Sequence, residues 1–156
     1  MQVSSTFPPA SALTPHAPPM LLVDEVLSAD DVVLETRSVI SETNPFFVPG
    51  RGVPAYVGFE IMAQSISVFD GYNRSLSGEE PKVGFLLGCR KYDAKIDWFA
   101  AGDTLTTRVS VLLNEGPMRS FSCEIRSAEE QLLAAGVINV FRPDSLDDFL
   151  TSGAAI

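Results

Sequence analysis

Between residues 54 and 70 the chain is apolar at most positions, on nearly every side of a helix. Val57, Phe59, Ile61, Met62, Ala63, Ile66, Val68 and Phe69 spread around a helical wheel instead of keeping to one side. A helix of that kind is normally buried. Pro54 suits its first turn, where the missing N–H costs nothing, and Asp70-Gly71 forms a stop signal of the usual C-terminal kind. The spacing therefore predicts one long buried helix from Pro54 to Asp70-Gly71.

On either side of it the period changes to that of strands. An apolar run over residues 20–27 reads as a first strand, Asp30-Asp31 as a turn, and the β-branched stretch 32–40 as a second strand in a hairpin. Asn44-Pro45-Phe46-Phe47 closes that unit, and a loop with Gly50 and Gly52 leads into the helix. There the backbone N–H groups of Ala55 and Tyr56 are expected to face a ligand oxygen. After a polar connection, strands are expected over residues 82–96, 104–113, 119–127 and 132–141, as a four-stranded meander. Residues 1–19 are Pro-rich, with a short helical turn expected near residues 10–13, and residues 144–156 read as a peripheral tail. Two strands, a wholly apolar helix and four more strands fit a single α+β domain over 1–156, in which a bent antiparallel sheet wraps one long central helix.

Against that apolar helix Glu60 stands out, because a carboxyl on a buried helix must be paired, protonated or in a cavity. Gln64 lies one turn later on the same face and can hydrogen-bond the carboxyl or a ligand beside it. Two readings follow from the pattern: a functional polar stripe on a buried rod, or an exposed helix edge that carries Glu and Gln.

At 156 residues, one domain buries roughly 70% of its unfolded surface without a staple. Cys89 and Cys123, far apart in a chain whose start has no charged and then apolar leader pattern, read as free thiols in a reduced, cytoplasmic setting. No apolar run approaches the roughly 20 residues needed to span a bilayer. The net charge of −9 argues against nucleic acid, whose phosphates call for a basic surface. Arg90, Lys91 and Lys95 form the one local basic patch, suited either to an acidic partner or to an ordinary solvated strand end. Asp24, Asp70, Asp93 and Asp103 show no metal-ligand spacing with His16, the single histidine, so no metal is expected.

The order of elements and four stretches resemble the hotdog fold and, within it, the 3-hydroxyacyl-[acyl carrier protein] dehydratases. The stretches are Pro15-His16 with Pro19-Met20-Leu21-Leu22-Val23-Asp24, Asn44-Pro45-Phe46-Phe47, Glu60-Ile61-Met62-Ala63-Gln64, and Phe99-Ala100-Ala101-Gly102-Asp103. The wording from Val53 to Glu60 is similar to the dehydratase-like proteins of aryl-polyene biosynthetic clusters. The resemblance implies homodimers or higher assemblies, acyl carrier protein as partner, an acyl-phosphopantetheine tunnel, and a catalytic histidine from one subunit facing a helix carboxylate from the other. No cofactor is implied, since the phosphopantetheine arrives with the substrate. Glu60 matches the helix carboxylate and Gln64 the glutamine after it. The family histidine that follows Pro-Phe-Phe is missing, because the loop 48–53 contains none, and His16 matches a different histidine that precedes the first strand.

The expected chemistry is dehydration of a 3-hydroxyacyl thioester, with His16 as base, Glu60 as acid, the Ala55 and Tyr56 amides at the thioester oxygen, and Gln64 orienting the carboxyl. Phe59 and Phe99, together with the Tyr56 ring and Met62, are candidate walls for the acyl chain or plain core. His16 could instead only pin its loop. Two other activities fit the same residues: a thioesterase in which Glu60 activates water, and a non-catalytic subunit that binds acyl carrier protein. Cys89 has no histidine near it in sequence and reads as a small strand residue.

Overall fold

The computed structural model describes residues 7–79 and 85–142. A short 3₁₀ turn at Ala10–Ala12 stands where the helical turn was expected. Strands β1 (Glu25–Ala29) and β2 (Val33–Val39) form the expected hairpin. Its turn is fixed by Asp30, whose Oδ1 accepts the Val32 and Val33 N–H groups at 2.8 Å each. Those two amides also hold the Asp30 carboxyl below its ordinary pKa.

Then follow β3 (Val53–Pro54), a 3₁₀ turn (Ala55–Val57), α1 (Gly58–Leu76), β4 (Phe85–Ala94), β5 (Trp98–Phe99), β6 (Thr104–Glu115), β7 (Met118–Arg126) and β8 (Leu132–Phe141). Six strands form one antiparallel sheet in the order β1-β2-β6-β7-β8-β4, and β3 pairs with β5 beside it. Period-2 alternation turns Leu34, Leu105, Val109, Phe121, Ile125 and Ile138 inward, where they meet Ile61, Met62, Ile66 and Phe69 of α1 in one core. The expected architecture, a long helix wrapped by an antiparallel sheet, is the one found.

Three boundaries differ from the expectation. Pro54 does not open the helix: it pairs with Trp98 in β3–β5, and Ala55 N–H donates to Asp97 O at 2.9 Å, so α1 starts only at Gly58. Asp70-Gly71 does not close it either. Gly71 lies inside the helix because the chain crosses there; a Cβ on it would stand 1.6 Å from the Leu13 carbonyl oxygen. The stop is Gly78 (φ +72°), where Gly78 N–H bonds Ser75 O at 3.2 Å and Glu79 N–H bonds Arg74 O at 2.9 Å, the paired closure of a Schellman end.

Residues 20–24 are likewise outside β1, because side-chain rather than strand partners take the backbone at Met20 and Leu22. Finally, the last four long strands are not one meander. Only β6, β7 and β8 follow in order, and β4 crosses to the far edge beside β8. The tail 144–156 and the start of the strand expected from residue 82 lie outside the described residues.

Candidate active site at the head of the central helix

Residues 60, 64, 67 and 71 recur at intervals of four, three and four, so they form one stripe along α1. The segment from Leu13 to Leu22 runs antiparallel over this stripe. Leu13 crosses at Gly71, Thr14 meets Ser67, and Met20 and Leu22 meet Gln64. Small or hydrogen-bonding residues on the helix face are what let a backbone lie so close to it.

Gln64 is fully buried. Its Oε1 accepts Leu22 N–H at 2.7 Å, while Nε2 donates to Met20 O at 2.8 Å and to Glu60 Oε1 at 3.0 Å. A flipped amide would set donor against donor and oxygen against oxygen, so the backbone at Met20 and Leu22 dictates that the N–H₂ end faces Glu60. Glu60 is half-buried in the first turn of α1, where the helix dipole favours negative charge. Of the two readings of this pair, a fully exposed helix edge does not hold: Gln64 is core, and Glu60 beside it is half-buried.

His16 is half-buried on the covering segment. Its Nδ1 lies 2.7 Å from Thr14 Oγ1, which lies 2.8 Å from Ser67 Oγ and also accepts His16 N–H at 3.3 Å. His16 is thereby tied at the level of Ser67, seven residues and about 10 Å along the axis from Glu60. No hydrogen bond or ion pair joins the two among the described residues.

The Ala55 amide is not available to a ligand, because Asp97 O takes it. The Ala55 carbonyl accepts the Tyr92 hydroxyl at 2.5 Å, and Gly58 N–H also bonds to it. Tyr56 follows in the same 3₁₀ turn with its ring 71% exposed. Phe59 is half-buried with its ring edge-on to Tyr92, whereas Phe99 and Met62 are wholly buried, Phe99 beneath Gly58.

Tyr92, Asp97, Thr14 and Ser67 were not singled out in the sequence. Thr14 had a signal, two residues before His16 in a Pro-flanked loop; the others act across the fold and left none. Among the described residues no cluster could hold a metal ion, and no helix is long and apolar enough to cross a membrane. Burial pushes the Cys123 thiol up to about 12 and raises that of Cys89, which leaves neither ionised as a nucleophile at neutral pH.

The profile of the ApeP-like family, described as ApeP dehydratase, matches residues 8–151. The 3-hydroxyacyl-[acyl-carrier-protein] dehydratase FabZ of Chlamydia trachomatis serovar L2 is 34% identical over 110 residues, covering 65% of this chain and 69% of that protein. The dehydratase heterocomplex ApeI:P from Xenorhabdus doucetiae contains a chain that superposes with a TM-score of 0.86 at 26% identity, over 96% of this chain and 99% of that one. A hypothetical thioesterase with coenzyme A from Streptococcus pneumoniae shares the fold alone, with a TM-score of 0.60 at 10% identity over 75% of this chain and 83% of the other. The chain belongs to the ApeP-like dehydratase family, and with it to the 3-hydroxyacyl dehydratases of the hotdog fold.

Proposed function

We propose that the chain dehydrates a 3-hydroxyacyl thioester carried on acyl carrier protein to the trans-2-enoyl thioester, in fatty-acid or aryl-polyene type biosynthesis. The observation that carries this reading is Glu60 at the head of α1, held by the buried Gln64 amide. A base removes the proton α to the thioester carbonyl, the Cα–Cβ double bond forms, and the β C–O bond breaks. Glu60, as the general acid, gives a proton to the leaving hydroxyl, which departs as water. The Tyr56 amide, beside the occupied Ala55 amide, serves the developing enolate oxygen. Proton transfer is all that is required, so the chain needs no cofactor of its own. Two free thiols support a reducing, cytoplasmic setting.

His16 is the proposed base, acting toward a substrate held by Glu60 of a second subunit. With Nδ1–H donating to Thr14 and Thr14 donating to Ser67, Nε2 is left to take the proton. The outer edge of β4, with β8 on its other side, is where a second copy would pair. A second reading is that a companion chain of the same fold supplies the imidazole. It is favoured by the tether of His16 at Ser67 and by the likeness to a dehydratase heterocomplex.

The test is to offer 3-hydroxyacyl-carrier protein to the purified chain, to His16→Ala and to Glu60→Gln, each with and without a companion chain, following products by mass spectrometry and free thiol. Loss of one water that both substitutions abolish supports His16 and Glu60 as the pair. Water loss only with the companion, indifferent to His16→Ala, supports the second reading. Thiol release would make the chain a thioesterase, and carrier binding without chemistry a scaffold subunit.

A further inference from the structure

The Tyr92 hydroxyl reaches the start of α1 from the sheet, and four features converge to place it there. Lys91 adopts a left-handed conformation (φ 56°), and the register of β4 on β8 slips between Arg90 and Asp93, turning Tyr92 inward. Gly58 makes room for the hydroxyl, since a Cβ there would lie 2.4 Å from Tyr92 Oη. Phe59 steadies the ring edge-on, with centroids 6.3 Å apart. A left-handed Lys, a bulge and the glycine at 58 are local costs that a hydrophobic contact alone would not need.

The hydroxyl donates to the Ala55 carbonyl at 2.5 Å, while Ala55 N–H is held by Asp97 O at 2.9 Å. Ala55 is therefore fixed on both sides, and the 3₁₀ turn that follows is held against the first turn of α1, which carries Glu60. We propose that Tyr92 is a positioning residue for the dehydration, holding the Tyr56 amide and the Glu60 carboxyl in register by anchoring the Ala55 carbonyl. This rests on the dehydratase reading above. Tyr92 touches no reacting atom; it acts through the turn.

Steady-state dehydration of a 3-hydroxyacyl thioester, with thermal unfolding alongside, tests this in wild type, Tyr92→Phe, Gly58→Ala, the double variant, and Tyr72→Phe as a control far along the helix. The companion chain is included if wild type requires it. Loss of one neutral hydrogen bond from the turn is expected to lower kcat about tenfold with KM within about twofold. The midpoint of unfolding should stay within a few degrees of wild type, and Tyr72→Phe should match wild type. Gly58→Ala displaces the same hydroxyl, so the double variant is expected to lose less than the product of the two single losses. A dehydrating wild type with Tyr92→Phe unchanged in kcat overturns the positioning role alone, as does a loss that only follows the fraction unfolded. A wild type that removes no water overturns the dehydratase reading, and this inference with it.

Discussion

Gln64 Nε2 donates at once to Glu60 Oε1 at 3.0 Å and to Met20 O at 2.8 Å, so the carboxyl of the site and the segment that covers it are oriented by one buried amide. Replacing Gln64 by Leu leaves Leu22 N–H buried without a partner and takes from the part-buried Met20 C=O its side-chain donor. An orphaned buried group costs about 1–3 kcal/mol, so a loss of at least that size in stability is expected. Urea unfolding checks it, with dehydration falling in the protein that remains folded.

Glu60→Gln keeps the volume and the hydrogen bond to Gln64 while removing the transferable proton. Loss of a positioned general acid corresponds to about 10²–10⁴-fold in rate. That fall in kcat is expected with an unfolding midpoint close to wild type, measured by product mass and calorimetry.

Gly71→Ala sets two effects against each other. Helix propensity favours Ala by about 1 kcal/mol, but the new Cβ would stand 1.6 Å from the Leu13 carbonyl oxygen. Overpacking of this sort costs about 1–3 kcal/mol or more, and backbone cannot move aside as a side-chain tip can. Net destabilisation is expected, with faster protease cleavage in residues 13–22; a stabilised variant would contradict the crossing.

Ser67→Ala removes the partner of Thr14 and loosens His16. A cost of about 1 kcal/mol in stability is expected from one lost hydrogen bond. If His16 is the base, kcat/KM falls as well, because the Nδ1 tether changes; with an imidazole from a companion chain kcat/KM stays near wild type.

Alkaline stability follows from two buried acids. Burial raises Cys123 from an ordinary 9.0 to about 12 and Tyr92 from 10.0 to about 12. Between these values the unfolded chain releases protons that the native protein keeps. The contribution is therefore fully present below about pH 9 and is lost as pH rises toward 12. The unfolding midpoint is expected to fall across that window, and Cys123→Ala to flatten the fall between pH 9 and 12.

The strands and the helix were legible because each rests on a local period: β6, β7 and β8 alternate in their own residues, and residues 57–69 are mostly apolar whatever surrounds them. Glu60 and Gln64 were legible for the same reason, as polar groups one turn apart on an apolar rod. The stop at Gly71 misled because glycine ends helices by conformation but can also sit within one for space, and only the position of Leu13 distinguishes the two. The free Ala55 amide misled because Asp97, 42 positions away, takes it.

What the sequence by itself determined about this protein is its element types, its α+β class and the polar pair Glu60 and Gln64 on an apolar helix. Tertiary structure alone decided the crossing of β4 to the edge beside β8, the grip of Gln64 on Met20 and Leu22, the tether of His16 at Ser67 and the reach of Tyr92 to Ala55. Periodicity is written in neighbouring residues, whereas each of these contacts joins groups tens of positions apart whose partners are chosen by packing.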